Sequence, residues 1–179
     1  MTRHIAAIVL CAGKGTRMKS ARAKVLHEVL GRPISYYPIS RAFEVGASPV
    51  VAVVGHQAEQ VQSTLEDQFA RRTLQFALQE KQLGTAHAVL AAKPNLEGFD
   101  GEIFILYGDT PMLTAATLKA LRKAKRARKA PLALVGFRPP NPHGYGRLVR
   151  EGKDVARIVE QKDCTPEQTK IGECNAGMY

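Results

Sequence analysis

Short, continuous apolar runs alternate along this chain with stretches of helical periodicity, and that rhythm restricts the fold more than any other feature. IAAIVL (5–10), VVAVVG (50–55), LQFAL (74–78) and EIFILYGD (102–109) are too short for helices. They also lack the polar alternation of strands that face water on one side, so they read as strands buried on both faces. Strands of that kind belong to a parallel sheet covered by helices on both sides. Between them, Pro33 opens a helix running to about Gly46. QAEQVQSTLEDQF (57–69) places Val61 and Leu65 on one face, GTAHAVLAAK (84–93) gives a third helix, and Thr114 caps a fourth. PLALVGF (131–137) adds a fifth strand. The rhythm then changes: GYGRLVREGKDVARIVEQKD (144–163) has period-2 segments around a Glu-Gly-Lys turn, the mark of a hairpin. CNAGMY is read as a last strand whose outer partner position stays empty, an exposed edge.

Composition excludes several classes. With 45% hydrophobic and 23% charged residues in 179, the chain is globular. No apolar run approaches the ~20 residues of a membrane span. Ile5 to Cys11 faintly imitates a signal sequence, but cationic residues follow it, and Leu10 stands where a lipoprotein signal needs a small residue. Three cysteines, at no metal-ligand spacing, are expected to be free thiols in a reducing compartment, so the protein is expected to be cytoplasmic, without membrane insertion. His27-Glu28 begins an HExxH pattern, but Gly31 takes the second histidine's place. Much of the net charge of +10 sits in Lys119–Lys129. No aromatic side chains interleave with these charges, so a solvated helix face with Leu118 and Leu121 turned inward is expected, and no nucleic-acid partner.

In parallel sheets ligands bind outside the carboxyl ends of the strands. Directly behind the first run stands LCAGKGTRMKS (10–20). It is not a Walker loop. It also fails the dinucleotide fingerprint, since Gly13 and Gly15 are followed by Met18 where a third glycine belongs. Glycines admit a close approach of backbone N–H groups to an anion, and Lys14, Arg17, Lys19 and Lys24 supply cations suited to phosphate oxygens. On these residues alone, a plain turn with solvated charges fits equally well. Asp109, just past the fourth strand, suits Mg²⁺ completed by substrate phosphates; it suits a turn before Pro111 as well.

LCAGKGTRMKS, AKVLH, LQEKQLGTAHA, YGDTP, GYGRLVR, IVEQKD and CNAG occur in the order found in the sugar-1-phosphate nucleotidylyltransferases. Across nearly its whole length the chain resembles the N-terminal uridylyltransferase half of the bifunctional bacterial enzymes that act on N-acetylglucosamine 1-phosphate. The resemblance implies a Rossmann-like, doubly wound α/β fold of the nucleotide-diphospho-sugar transferase type with a C-terminal β-hairpin. It also implies a single nucleotidylyltransferase domain over 1–179, incomplete at its C-terminus, with the acetyltransferase β-helix absent.

Its implied partners are UTP and N-acetylglucosamine 1-phosphate, with Mg²⁺ as cofactor and a homotrimer for the full-length form. Leu10, Cys11, Ala12, Gly13, Gly15 and Thr16 would hold the nucleotide, while Gln79, Gly84 and Thr85 would read uracil. Arg17 and Lys24 would be the catalytic cations, Asp109 a metal ligand, and Tyr107, Gly108, Gly146, Glu160 and Asn175 the sugar-phosphate contacts. Without the resemblance, Glu160 reads as a hairpin surface charge and Asn175 as a turn former. The implied reaction yields UDP-N-acetylglucosamine and pyrophosphate for cell-wall synthesis. Its nucleophile is already an anion, in keeping with the lack of any triad-like set. Arg17→Ala is expected to raise the barrier by about 2–4 kcal/mol. The other readings are a nucleotidylyltransferase for another sugar or nucleotide, and a nucleotide-binding fragment without efficient catalysis.

Three departures from the family pattern carry expectations. Cys11 replaces the usual alanine, and the thiol is expected to be alkylated, with loss of UTP binding and protection by UTP. Ala176 replaces the threonine that usually follows the asparagine, which is expected to weaken the sugar site slightly. The asparagine that would be the second metal ligand is expected beyond Tyr179.

Overall fold

The computed structural model describes residues 4–15 and 18–179. It divides into two compact units, Met1–Ala120 and Leu121–Tyr179.

The first unit is built on β1 (His4–Leu10), β4 (Val50–Val54), β5 (Leu74–Leu78) and β6 (Gly101–Tyr107). All pair in parallel, in the order β5-β4-β1-β6. Every residue of β4 is buried, as are Ala6–Val9 in β1, so these two runs are the sheet's interior as read, whereas the outer strands β5 and β6 are only partly buried, with Leu78 and Ile103 exposed. The helices α2 (Ala58–Gln68) and α3 (Thr85–Ala91) lie in the connections. Val61 and Leu65 are fully buried, and Ala88 packs on Ile8, Val51 and Val53. In α4 (Ala115–Ala127) the Thr114 hydroxyl accepts the Thr117 N–H at 3.1 Å. Leu118 and Leu121 point inward while Lys119 and Lys123 stay exposed, the solvated-face arrangement.

Pro33 does not open α1, which spans Tyr36–Glu44. It lies in β3 (Arg32–Pro33), paired antiparallel with β2 (Glu28–Val29) around a tight turn in which Leu30 and Gly31 both take positive φ. Ile34 and Ser35 then bond back to His27 and Val25, so the helix waits until this small hairpin is closed.

The second unit holds an antiparallel sheet in the order β7-β10-β8-β9. The expected hairpin is β8 (Arg147–Glu151) and β9 (Asp154–Val159). Two expectations are corrected. The run 131–137 contributes only β7 (Gly136–Phe137), antiparallel to β10 (Cys174–Asn175) rather than part of a parallel sheet. Leu132 is 58% exposed, so this apolar run is not a buried strand. And β10 is no open edge, because it pairs with β7 on one side and β8 on the other. A one-turn helix, α5 (Pro166–Thr169), is closed by a capping box in which Thr165 accepts the Gln168 N–H.

Candidate nucleotide site

The chain runs from β1 outward to β4 and β5, then returns to β6 on the opposite flank of β1. Strand order therefore reverses between β1 and β6, and the carboxyl ends of these two strands are where such a sheet takes a ligand. Leu10 and Tyr107 are register partners, so the residues after them lie side by side. The Gly108 N–H donates to the Leu10 carbonyl at 2.9 Å, and the Cys11 N–H to that of Val53 at 2.8 Å. A Cβ on Gly108 would stand 2.7 Å from Cys11 Sγ, so this close approach needs glycine.

Cys11 is only 1% exposed. Burial, helped by the nearby Asp109 carboxylate, pushes its thiol up to about 12. That reverses the expectation of an alkylatable thiol: the reactive thiolate is scarce at neutral pH and reagents have no path to the sulfur.

Beyond Cys11 and the buried Ala12 the chain emerges. Gly13 is exposed, and a Cβ there would meet nothing within 4 Å. Gly15 has φ +60°, and a Cβ on it would lie 2.5 Å from Lys24 Cβ, so the loop presses on the lysine's stem. Lys24 Nζ in turn donates to Asp109 Oδ2, joining two residues 85 positions apart. What holds Lys24 in place was not legible beforehand: fully buried Ser35 gives both its N–H (3.2 Å) and its hydroxyl (2.9 Å) to the Val25 carbonyl. Gly55, after β4, backs the loop from the other side, since a Cβ there would sit 2.9 Å from that of Ala12. Thr16 and Arg17 lie outside the described residues.

After β5, Gln79 is 4% exposed, and its N–H donates to the Val54 carbonyl at 2.8 Å. Its side-chain amide donates to the Gly84 carbonyl at 3.2 Å and lies 3.1 Å from His87 Nδ1. Gly84, at φ +103°, precedes α3, and Thr85 begins it. Gln79, Gly84 and Thr85 thus form one cluster, with His87 as a member that sequence reasoning missed; the only signal was its place in the QLGTAHA block.

Tyr107 and Asp109 are partly buried and Gly108 fully so; the Tyr107 carbonyl accepts the Thr110 hydroxyl at 2.8 Å. In the second unit Gly146, Glu160 and Asn175 come together. The Asn175 N–H donates to the Gly146 carbonyl at 2.8 Å, and a Cβ on Gly146 would be 3.2 Å from Glu160 Oε1. The Asn175 amide also donates to the Tyr179 hydroxyl at 2.6 Å.

Among the described residues no group of three His, Cys, Asp or Glu side chains is gathered for a metal. Asp109 is a single, partly exposed hard-oxygen donor whose present partner is a cation. That donor set fits Mg²⁺, which accepts one or two carboxylates with phosphate and water as its remaining ligands.

A glycine loop and a lysine-carboxylate pair thus stand at the strand-order reversal of a parallel α/β sheet, where such folds take ligands. The chain belongs to the MobA-like NTP transferase family, whose domain it matches over residues 7–161. Over 176 residues it is 57% identical to the bifunctional protein GlmU of Anaeromyxobacter sp. (strain K), covering 98% of this chain and 36% of that protein. The corresponding GlmU of Geobacter sulfurreducens is 47% identical over 179 residues, with 37% of its length covered. The chain therefore spans roughly a third of the length of these curated relatives. Among solved structures, one assigned as a glucose-1-phosphate thymidylyltransferase from Bacillus anthracis superposes with a TM-score of 0.70. It covers 97% of this chain and 70% of its own, and at 17% identity it supports the Rossmann-like α/β fold. No helix among the described residues is long and apolar enough to cross a membrane.

Proposed function

We propose that this chain transfers a uridylyl group from UTP to N-acetylglucosamine 1-phosphate, giving UDP-N-acetylglucosamine and pyrophosphate in the cytoplasm. The observation that carries the reading is the meeting of an open glycine loop with Lys24 and Asp109 at the reversal of strand order. A phosphate oxygen of the sugar attacks the α-phosphorus in line, and the bond to the bridging oxygen breaks as pyrophosphate leaves. The nucleophile arrives as an anion, so no general base is required. The one thiol in the loop, held neutral by burial, is no nucleophile.

This chain's residues bind and align. Backbone N–H groups of Gly13 and Gly15, together with Arg17, take the triphosphate oxygens, and Lys24 exchanges its carboxylate partner for phosphate. Gln79, Gly84 and Thr85 hold the uracil, where an amide offers both a donor and an acceptor. Tyr107, Gly108, Gly146, Glu160 and Asn175 contact the sugar phosphate. Asp109 would hold Mg²⁺, and the ion would supply positive charge to offset the charge that develops on the phosphates.

Pyrophosphate release with UTP, N-acetylglucosamine 1-phosphate and Mg²⁺ tests the proposal, with glucose 1-phosphate and dTTP as parallel substrates. Turnover confined to the first pair is expected. Preference for a control substrate moves the assignment to another sugar nucleotide, and UTP binding without turnover reduces it to nucleotide binding. A chain that binds no UTP refutes it.

A further inference from the structure

Arg147, on β8, is 1% exposed and among the largest fully buried side chains of the protein. A buried cation costs several kcal/mol unless an anion and a full set of acceptors compensate it. Two acids of this unit are engaged elsewhere: Asp154 with Arg128, and Glu173 with Arg138 and Arg150. Cys174, its register partner in β10, has its thiol raised by desolvation against the opposing pull of Arg147, so it stays neutral and supplies no counter-charge. The guanidinium instead donates to two neutral oxygens, the Tyr145 carbonyl and Gln161 Oε1, the latter at 2.7 Å. Its Nε has no partner. For stability alone an apolar residue would serve as well or better.

What the guanidinium holds accounts for its presence. Gln161 Oε1 also accepts the Gly144 N–H at 3.1 Å, and the Tyr145 N–H closes on the Pro142 carbonyl at 3.2 Å. One side chain thereby ties residues 142–146 to Gln161, the neighbour of Glu160. Gly146 sits between the two tethered points, with Glu160 Oε1 3.2 Å from where its Cβ would be and Asn175 bonded to its carbonyl. We propose that Arg147 is a positioning residue for sugar-phosphate binding, fixing Gly146 and Glu160 relative to each other from beneath. The inference rests on the reading of these residues given under the proposed function.

Arg147→Met and Arg147→Lys, assayed by pyrophosphate release beside the wild-type chain, test it. In Arg147→Met the KM for N-acetylglucosamine 1-phosphate is expected to rise on the order of tenfold or more. The KM for UTP and the melting temperature stay at wild-type values. Arg147→Lys, which keeps the charge and a donor, recovers part of the loss. An unchanged sugar-phosphate KM in Arg147→Met overturns the proposal. So does a parallel rise of both KM values with a lower melting temperature, which marks a merely structural role. A wild-type chain that turns over no substrate pair overturns the reading of the site and this inference together, and is recognised before any variant is compared.

Discussion

Replacing Gly108 by alanine measures how tightly the two strands that flank the site are locked together. The new Cβ would lie 2.7 Å from Cys11 Sγ, 2.8 Å from the Leu10 carbonyl oxygen and 3.4 Å from Val25 Cγ1. Comfortable contacts begin near ~3.5 Å, so the first two overlap by several tenths of an ångström. Neither neighbour can yield: the Leu10 oxygen is fixed in the β1–β6 register and accepts the Gly108 N–H, and Cys11 is encased. Relief requires the end of β6 to move away from β1. Overpacking of that kind costs about 1–3 kcal/mol, and the strained hydrogen bond about 1 more. The expected loss of about 2–4 kcal/mol lowers the melting temperature by roughly 5–15 °C for a chain of this size. Urea denaturation of Gly108→Ala gives the number directly. Combining it with Cys11→Ala removes the sulfur overlap but not the carbonyl one, so the double variant should recover about 1 kcal/mol. A loss below about 0.5 kcal/mol in the single variant, the level of an ordinary surface change, would show that β1 and β6 are not packed as described.

Gly13→Ala is the converse case: with nothing within 4 Å of the new methyl, stability should stay at the wild-type level, while UTP affinity by calorimetry falls because backbone N–H groups are held off the phosphates. Lys24→Met should change unfolding free energy by no more than about 1 kcal/mol, since a partly exposed pair contributes little. Pyrophosphate release by the same variant should fall about 100-fold or more; near-normal turnover would remove Lys24 from the mechanism. Cys11, raised from 9.0 to about 12, leaves stability unaffected below pH 9, where folded and unfolded thiols are both protonated. Above that the unfolded chain loses its proton first, so stability falls by about 1.4 kcal/mol per pH unit. Denaturation at pH 8 and 10 should show this slope in the wild type relative to Cys11→Ala. Iodoacetamide should label Cys11 only after unfolding; labelling in the native state would contradict its burial.

The parallel sheet was legible because its central strands are covered on both faces, which leaves an unbroken apolar signature: Val50–Val54 has no other economical reading. Where the fold departed from expectation, the deciding partner was remote or the turn chemistry unusual. Leu30, at positive φ and 92% exposed, is not a residue that announces a tight hairpin, so Pro33 looked like a helix start. PLALVGF has the composition of a buried strand, but only its end, Val135–Phe137, finds a partner, and that partner lies some 40 residues downstream, in and just after β10. The same limit applies to Ser35 and His87. A serine that anchors the Lys24 turn and a histidine beside Gln79 are ordinary residues until chain folding brings them there.

Cys11 shows why position in a motif does not determine reactivity. Spacing puts a thiol in a cationic, glycine-rich loop, a setting in which cysteines are often activated. Packing decides otherwise, because Gly108 lets β6 close over the sulfur and the Asp109 carboxylate opposes a second negative charge nearby. The outcome suits a phosphate-binding loop. Under the proposed function, a thiolate at its base would repel the triphosphate assigned to the backbone N–H groups and Lys24, whereas a buried neutral thiol leaves their field undiminished. The residue that looked most reactive in the sequence is therefore part of the dry, uncharged floor on which the cations act.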